Sequence, residues 1–177
     1  MHGIGYIKNT LDYSSTYSCD TDLSPHAYVD ADYGGCWDTC QSTSGCIFIM
    51  TGGPVSWSSK QQATVALSTI EAKYVVMSKA AQQMVWMQNW LSEVEVKVST
   101  PGLISGDSWG AITLTKNTKD HSKVKHIDIQ HHYIHELLQS GIIAVEQVSS
   151  SSNLADLFTK PLPCDHHHQL LAALNIT

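Results

Sequence analysis

Residues 68–91 read as the clearest helix of this chain, and the segments around them must be arranged to bury it. Its apolar positions Ile70, Tyr74, Met77, Ala81, Met84 and Trp86-Met87 recur near the helical period. Ser68 and Glu71 form a Ser-x-x-Glu start signal, in which each side chain satisfies a backbone N–H of the first turn. Three strand-like runs precede it. Ala27-Tyr28-Val29 runs into Asp30 and is broken at Gly34-Gly35, residues 44–50 form a second run, and Val55 to Ser58 form a third beyond the hairpin-like turn Gly52-Gly53-Pro54. After the helix come a strand ending at Gly106-Asp107, a short helix from Ala111 to Leu114, a helix over 123–139 closed by Gly141, a strand from Ile142 to Val148, and a helical stretch from Asn153 to Lys160 stopped by Pro161. The order predicts a mixed α/β domain whose first strands are antiparallel.

The 177 residues suffice for one domain with its own core, and 42% hydrophobic against 15% charged residues is a globular balance. No apolar run approaches the roughly 20 residues of a membrane-spanning helix. The N-terminus has no basic region followed by an apolar one, so a cytoplasmic or nuclear rather than secreted protein is expected. Five cysteines at irregular spacing predict reduced thiols, not a disulfide framework. The net charge of −6 argues against a strong free-standing nucleic-acid binder, whose affinity comes from neutralising phosphates. It suits a site that gathers carboxylates around metal ions, or a tethered domain whose neighbours hold the substrate.

Four carboxylates stand out, each with an ordinary alternative. Asp30 lies on a strand, where Asp is disfavoured, or ends that strand as a turn residue. Asp32, two residues on, reads as a solvated strand end. Glu71 is a helix-borne ligand or the third residue of the capping box, and both roles compete for the same oxygens. Asp107 follows a strand C-terminus, a common place for chemistry, or caps the helix near Trp109. Asp156 is a fourth ligand or a first-turn carboxylate favoured by the helix dipole. Brought together, they would form an all-oxygen site selecting Mg²⁺ or Mn²⁺ over zinc, and two ions roughly 4 Å apart can activate water in phosphodiester cleavage.

Ordered blocks then carry a resemblance. Tyr28-Val29-Asp30-Ala31-Asp32-Tyr33, Ser42-Thr43-Ser44-Gly45, Ser56-Trp57-Ser58-Ser59-Lys60-Gln61, Leu67-Ser68-Thr69-Ile70-Glu71-Ala72-Lys73-Tyr74, Lys125-His126-Ile127-Asp128-Ile129 and Leu154-Ala155-Asp156-Leu157-Phe158-Thr159-Lys160-Pro161-Leu162-Pro163 follow one another over residues 26–163. As a set they resemble the ribonuclease H domain of copia-type LTR-retrotransposon Pol polyproteins. The lead-in over residues 1–25 resembles the connection between reverse transcriptase and ribonuclease H in those polyproteins, and residues 164–177 read as a C-terminal tail.

The resemblance implies a ribonuclease H-like fold, a five-stranded mixed sheet with its first three strands antiparallel and helices on both faces. It implies a hydrolase that cleaves the RNA strand of an RNA–DNA hybrid with two Mg²⁺ (or Mn²⁺) ions held by Asp30, Glu71, Asp107 and Asp156, and a reverse transcriptase domain as partner in the parent polyprotein. RNA would be selected through its 2′-hydroxyls and hybrid shape. Ser108-Trp109 replaces the family's Asn-Gln pair after Asp107, at positions expected to touch hybrid, and the loop Ser149 to Ser152 lacks the His that cellular ribonucleases H carry. Lys116, Lys119, Lys123 and Lys125 form the one basic cluster, able to track a phosphate backbone or simply to stay solvated. The competing readings are a catalytically weak or inactive nucleic-acid-binding remnant, favoured by the acidic charge and by Ser108-Trp109, and a zinc scaffold built on His131, His135 and His166 to His168, for which a ligand set of defined spacing is lacking. Trp57, Trp86 and Trp90 are expected in the core.

Overall fold

The computed structural model describes residues 2–18, 23–98, 101–116 and 125–177, with the side chains of His2 and residues 125–131 outside that description. Strands β1 (His26–Asp32), β2 (Thr43–Met50) and β3 (Gly53–Gln61) form an antiparallel meander, and β4 (Gly102–Gly106) and β5 (Ile143–Gln147) add in parallel on the other side of β1, giving the order β3-β2-β1-β4-β5. The hairpin between β2 and β3 turns at Thr51 and Gly52, both with positive φ (52° and 80°), the conformation whose twist matches that of paired strands. Pro54, which cannot donate to a ladder, falls where the pairing shifts between Phe48 and Ile49.

Alternation along β1 divides its side chains between two layers. Ala27, Val29 and Ala31 pack with Ile104 beneath the long helix α2 (Thr69–Glu93), whose buried stripe includes Tyr74, Met77, Ala81 and Met84. Helices α3 (Trp109–Lys116) and α4 (Lys125–Gln139) complete that layer. Gly141, at φ +70°, closes α4: its N–H donates to Leu138 O, and Ile142 N–H reaches Leu137 O. On the opposite face Tyr28, Ile47 and Ile49 meet Leu154, Leu157 and Phe158 of a 3₁₀ turn (Leu154–Phe158), together with Leu170 and Leu174. Helices thus cover both faces, as expected.

Both terminal segments carry structure that the sequence did not reveal, and the expectation for the tryptophans changes. Residues 164–177 are not a bare tail: they contain α5 (Cys164–Ala173), whose Leu170 and Leu171, with Leu174 beyond it, are buried. The lead-in opens with α1 (His2–Asn9), which leaves Ile4, Tyr6 and Ile7 exposed, and Ser15 pairs with Ile176 in an isolated antiparallel bridge. Trp57, Trp86 and Trp90 lie on the surface, at 63, 59 and 49% exposure, and the largest buried side chains are instead Tyr74 and Phe48, set among aliphatic and Met residues. Among the described residues no helix is long and apolar enough to cross a membrane, and Cys36, Cys40, Cys46 and Cys164 are free thiols.

Candidate active site

The pleat of β1 sends Asp30 to the face covered by the 3₁₀ turn, and β4 runs parallel beside β1, so Asp107, one residue past the end of β4, emerges near it. Asn153 fixes the third carboxylate. Its side-chain oxygen caps the 3₁₀ turn by accepting from Ala155 N–H at 3.2 Å, and its amide donates to Val29 O on β1 at 3.0 Å. That clamp brings Asp156 against Asp30. Gly45 makes the approach possible, because a Cβ there would lie 2.6 Å from Thr159 Cγ2 and 2.9 Å from Ala155 O. Asp30 and Asp156 are both buried, at 3% and 2% exposure.

A cation joins these carboxylates, and it belongs to the chain. Lys73, in the second turn of α2, sets its Nζ 3.1 Å from Asp30 Oδ1 and donates a short hydrogen bond to Asp107 Oδ1. The remaining oxygens are also engaged. Thr159 Oγ1 donates to Asp30 Oδ2 at 2.6 Å, Ser150 Oγ to Asp107 Oδ2 at 3.0 Å, and Lys160 Nζ pairs with Asp156 Oδ2 at 2.8 Å. Among the carboxylate oxygens of Asp30, Asp107 and Asp156, Asp156 Oδ1 is the one buried without a hydrogen-bond partner.

The titration tendencies follow from these contacts. Burial works against ionising Asp30, but the Thr159 hydroxyl and the Lys73 ammonium outweigh it and hold the carboxyl below its ordinary value. Burial pushes Asp156 up, Lys160 offsets part of that, and the neighbouring Asp30 charge adds to the rise. Burial also opposes charge on Lys73, yet its bonds to Asp107 and Asp30 win and raise its pKa.

Glu71 makes its own contacts at the start of α2. Its carboxylate accepts from Leu67 N–H at 2.7 Å while Ser68 Oγ accepts from Glu71 N–H at 3.1 Å, so the capping role is the one observed. Asp107 has the reverse outcome: Ser108 caps α3, its Oγ accepting from Ala111 N–H at 3.3 Å, which leaves the Asp107 carboxylate to Lys73 and Ser150. Asp32 accepts from Gly35 N–H and Thr43 N–H and braces the loop after β1. Lys116 is exposed at the end of α3, Lys119 and Lys123 fall outside the described residues, and Lys125 begins α4 with its side chain outside them. Lys73, Thr159 and Asn153 were not singled out by sequence reasoning. The available signal was Lys73 itself, a cation near a helix N-terminus, where the dipole disfavours it.

Two divalent ions roughly 4 Å apart need carboxylate oxygens turned inward to share. Here two of those oxygens clasp an ammonium, three more accept from Thr159, Ser150 and Lys160, and Glu71 faces a backbone amide. Among the described residues no three His, Cys, Asp or Glu side chains are placed to hold a metal ion together. The residues present do not fit a two-metal centre as arranged.

Comparison with known proteins gives the lineage. The chain is 38% identical over 157 residues to the retrovirus-related Pol polyprotein from transposon RE2 of Arabidopsis thaliana, covering 89% of this chain and 11% of that protein. Against the corresponding polyprotein from transposon RE1 of the same plant it is 36% identical over 172 residues, 97% of this chain and 12% of the relative. The chain belongs to the copia-type retrovirus-related Pol family. It spans about a tenth of the length of these curated relatives. No family model matches it. Among solved structures, LC11-RNase H1, isolated from compost by a metagenomic approach, superposes with a TM-score of 0.56 at 14% identity, covering 77% of this chain and 93% of that one. The same enzyme in complex with RNA/DNA hybrid superposes equally well, at 12% identity, over 77% of this chain and 94% of that one. The fold of this Pol segment is therefore that of ribonuclease H.

Proposed function

We propose that this Pol segment is a hybrid-binding ribonuclease H-like module whose strand-cleaving chemistry has been largely lost. The observation that carries this reading is the Lys73 ammonium between Asp30 and Asp107, which spends on an internal ion pair the oxygens that metal-dependent cleavage would need. The substrate class, an RNA–DNA hybrid, is supported by the shared fold and by the hybrid complex of LC11-RNase H1. Ser108, Lys116, Lys123 and Lys125, with Lys160 beside the carboxylates, are the polar and cationic groups proposed to meet it. With a net charge of −6, binding should be weak and should fall steeply with salt. A reverse transcriptase domain in the parent polyprotein would supply the remaining affinity.

A second reading, the Mg²⁺- or Mn²⁺-dependent endonuclease, draws support from Asp156 Oδ1, a buried carboxylate oxygen with no partner. In that reading Asp30, Asp107 and Asp156 would hold the ions, Glu71 would have to leave its cap to join them, and the ions would supply an activated water. One pair of measurements separates the two. Labelled RNA–DNA hybrid is titrated with protein in EDTA at low salt, beside duplex DNA. The same hybrid is then incubated with Mg²⁺ or Mn²⁺, beside an Asp107→Asn control. Hybrid-preferring binding with cleavage at the control level is the expected result. Metal-dependent cleavage well above the control would establish the endonuclease, and equal affinity for duplex DNA would remove hybrid recognition.

A further inference from the structure

Resting on that reading, we propose that Lys73 is the site's resident cation, and that it masks a latent divalent-ion site formed by Asp30, Asp107 and Asp156. Three observations carry this. The ammonium bridges carboxylates from two different strand ends, the place where an ion shared between them would sit. It arrives on α2, an element fixed by a deeply buried stripe, so its backbone is placed by the core rather than by the carboxylates. Asp156 Oδ1, buried and unpartnered, remains directed at no donor even though every other oxygen of the trio has one. An ammonium has three N–H donors and satisfies Asp30 and Asp107, but it carries one charge. With Lys160 on Asp156, two ammonium charges face three carboxylates, and the excess negative charge is what a divalent ion would offset.

The consequence is a module whose acidic centre is held together without metal. Lys73 performs the structural half of a metal ion's role, neutralising and joining the strand ends. It cannot perform the chemical half, because an ammonium offers no coordination position for water. Substituting Lys73 should therefore exchange one cation for another. Lys73→Gln removes the charge and leaves the trio needing an external ion. Lys73→Glu adds a fourth carboxylate at the position the helix already points inward.

The test is Mn²⁺ binding, read by the electron paramagnetic resonance signal of the free ion and by metal-dependent melting, with no reference to cleavage. The expected result is that the native chain takes up no site-bound Mn²⁺ and melts alike in EDTA and Mn²⁺. Lys73→Gln and Lys73→Glu would melt lower in EDTA and recover with Mn²⁺, Lys73→Glu binding at least about tenfold tighter than the native chain. Adding Asp156→Asn to Lys73→Glu would abolish the gain. Uptake of Mn²⁺ by the native chain, lost on Asp30→Asn, would overturn the proposal by showing that Lys73 yields to metal, and this measurement stands even if neither variant folds. A folded Lys73→Glu with no gain in Mn²⁺ binding would overturn it equally. Hybrid binding in EDTA is a separate readout. Its loss with the Mn²⁺ pattern intact removes the hybrid reading and leaves the role of Lys73 standing.

Discussion

At the scale of single residues, charge compensation around Asp30 governs this molecule. Lys73→Met leaves Asp30 buried and short of its main counter-charge, so a loss of about 3–5 kcal/mol is expected in urea unfolding at neutral pH. Asp156→Asn should act in the opposite direction. In the native chain the raised pKa of Asp156 means that its ionised form is penalised at neutral pH, a penalty relieved as pH falls toward its folded pKa. Asp30, with a depressed pKa, contributes stability that is present above the ordinary carboxylate value of about 3.9 and is lost as pH falls through its lower folded value. The two titrate as a pair. Melting temperature should thus hold or rise on acidification from pH 7 and then drop below about pH 4. In Asp156→Asn the melting temperature should be higher at pH 7 and the initial rise should vanish; a lower value at pH 7 would contradict this account. Sequence alone left each carboxylate with two roles because both roles use the same atoms. In the fold Ser108 takes the cap beside Asp107, and Leu67 N–H engages the Glu71 carboxylate. Lys73 offered only its unfavourable place near a helix N-terminus, and nothing in a one-dimensional pattern says that such a Lys will reach two strand ends.

At the scale of elements, the contact between the 3₁₀ turn and the sheet decides whether Asp156 meets Asp30 at all. Asn153→Ala removes the cap on Ala155 N–H and the donor to the buried Val29 carbonyl together, so a destabilisation of about 2 kcal/mol is expected by chemical denaturation. Gly45→Ala pushes a methyl into Thr159 and the Ala155 carbonyl and should cost roughly 1–3 kcal/mol. The strands and α2 were readable because glycine breaks and a sustained helical period mark them. α5 was not, since Asp165-His166-His167-His168 opens it with polar residues and its burial depends on only a few leucines facing Ile47 and Leu154. The tryptophans misled because their size suggests a core, whereas the space under α2 is filled by Ala, Val, Ile and Met with Phe48 and Tyr74 as its large aromatics.

At the scale of the whole molecule, the second hydrophobic layer is closed only by residues near the C-terminus. Leu174→Ala should cost about 2–5 kcal/mol. A chain cut after Pro163 would uncover Ile47 and Leu154, and it should bind a hydrophobic dye and lose its single sharp unfolding transition. The two ends of the fold are also stitched to each other. Ser14 and Thr177 exchange backbone hydrogen bonds of 2.9 and 3.1 Å, and Thr16 N–H donates to Asn175 O at 3.1 Å. The segments around Ser14 and Thr177 therefore enter and leave the sheet-bearing fold at one spot, paired antiparallel. Tension applied through both ends would load these bonds one after another, like teeth of a zip, rather than shearing the five strands at once. Under pulling, the seam should open first and at low force, while the sheet behind it stays whole.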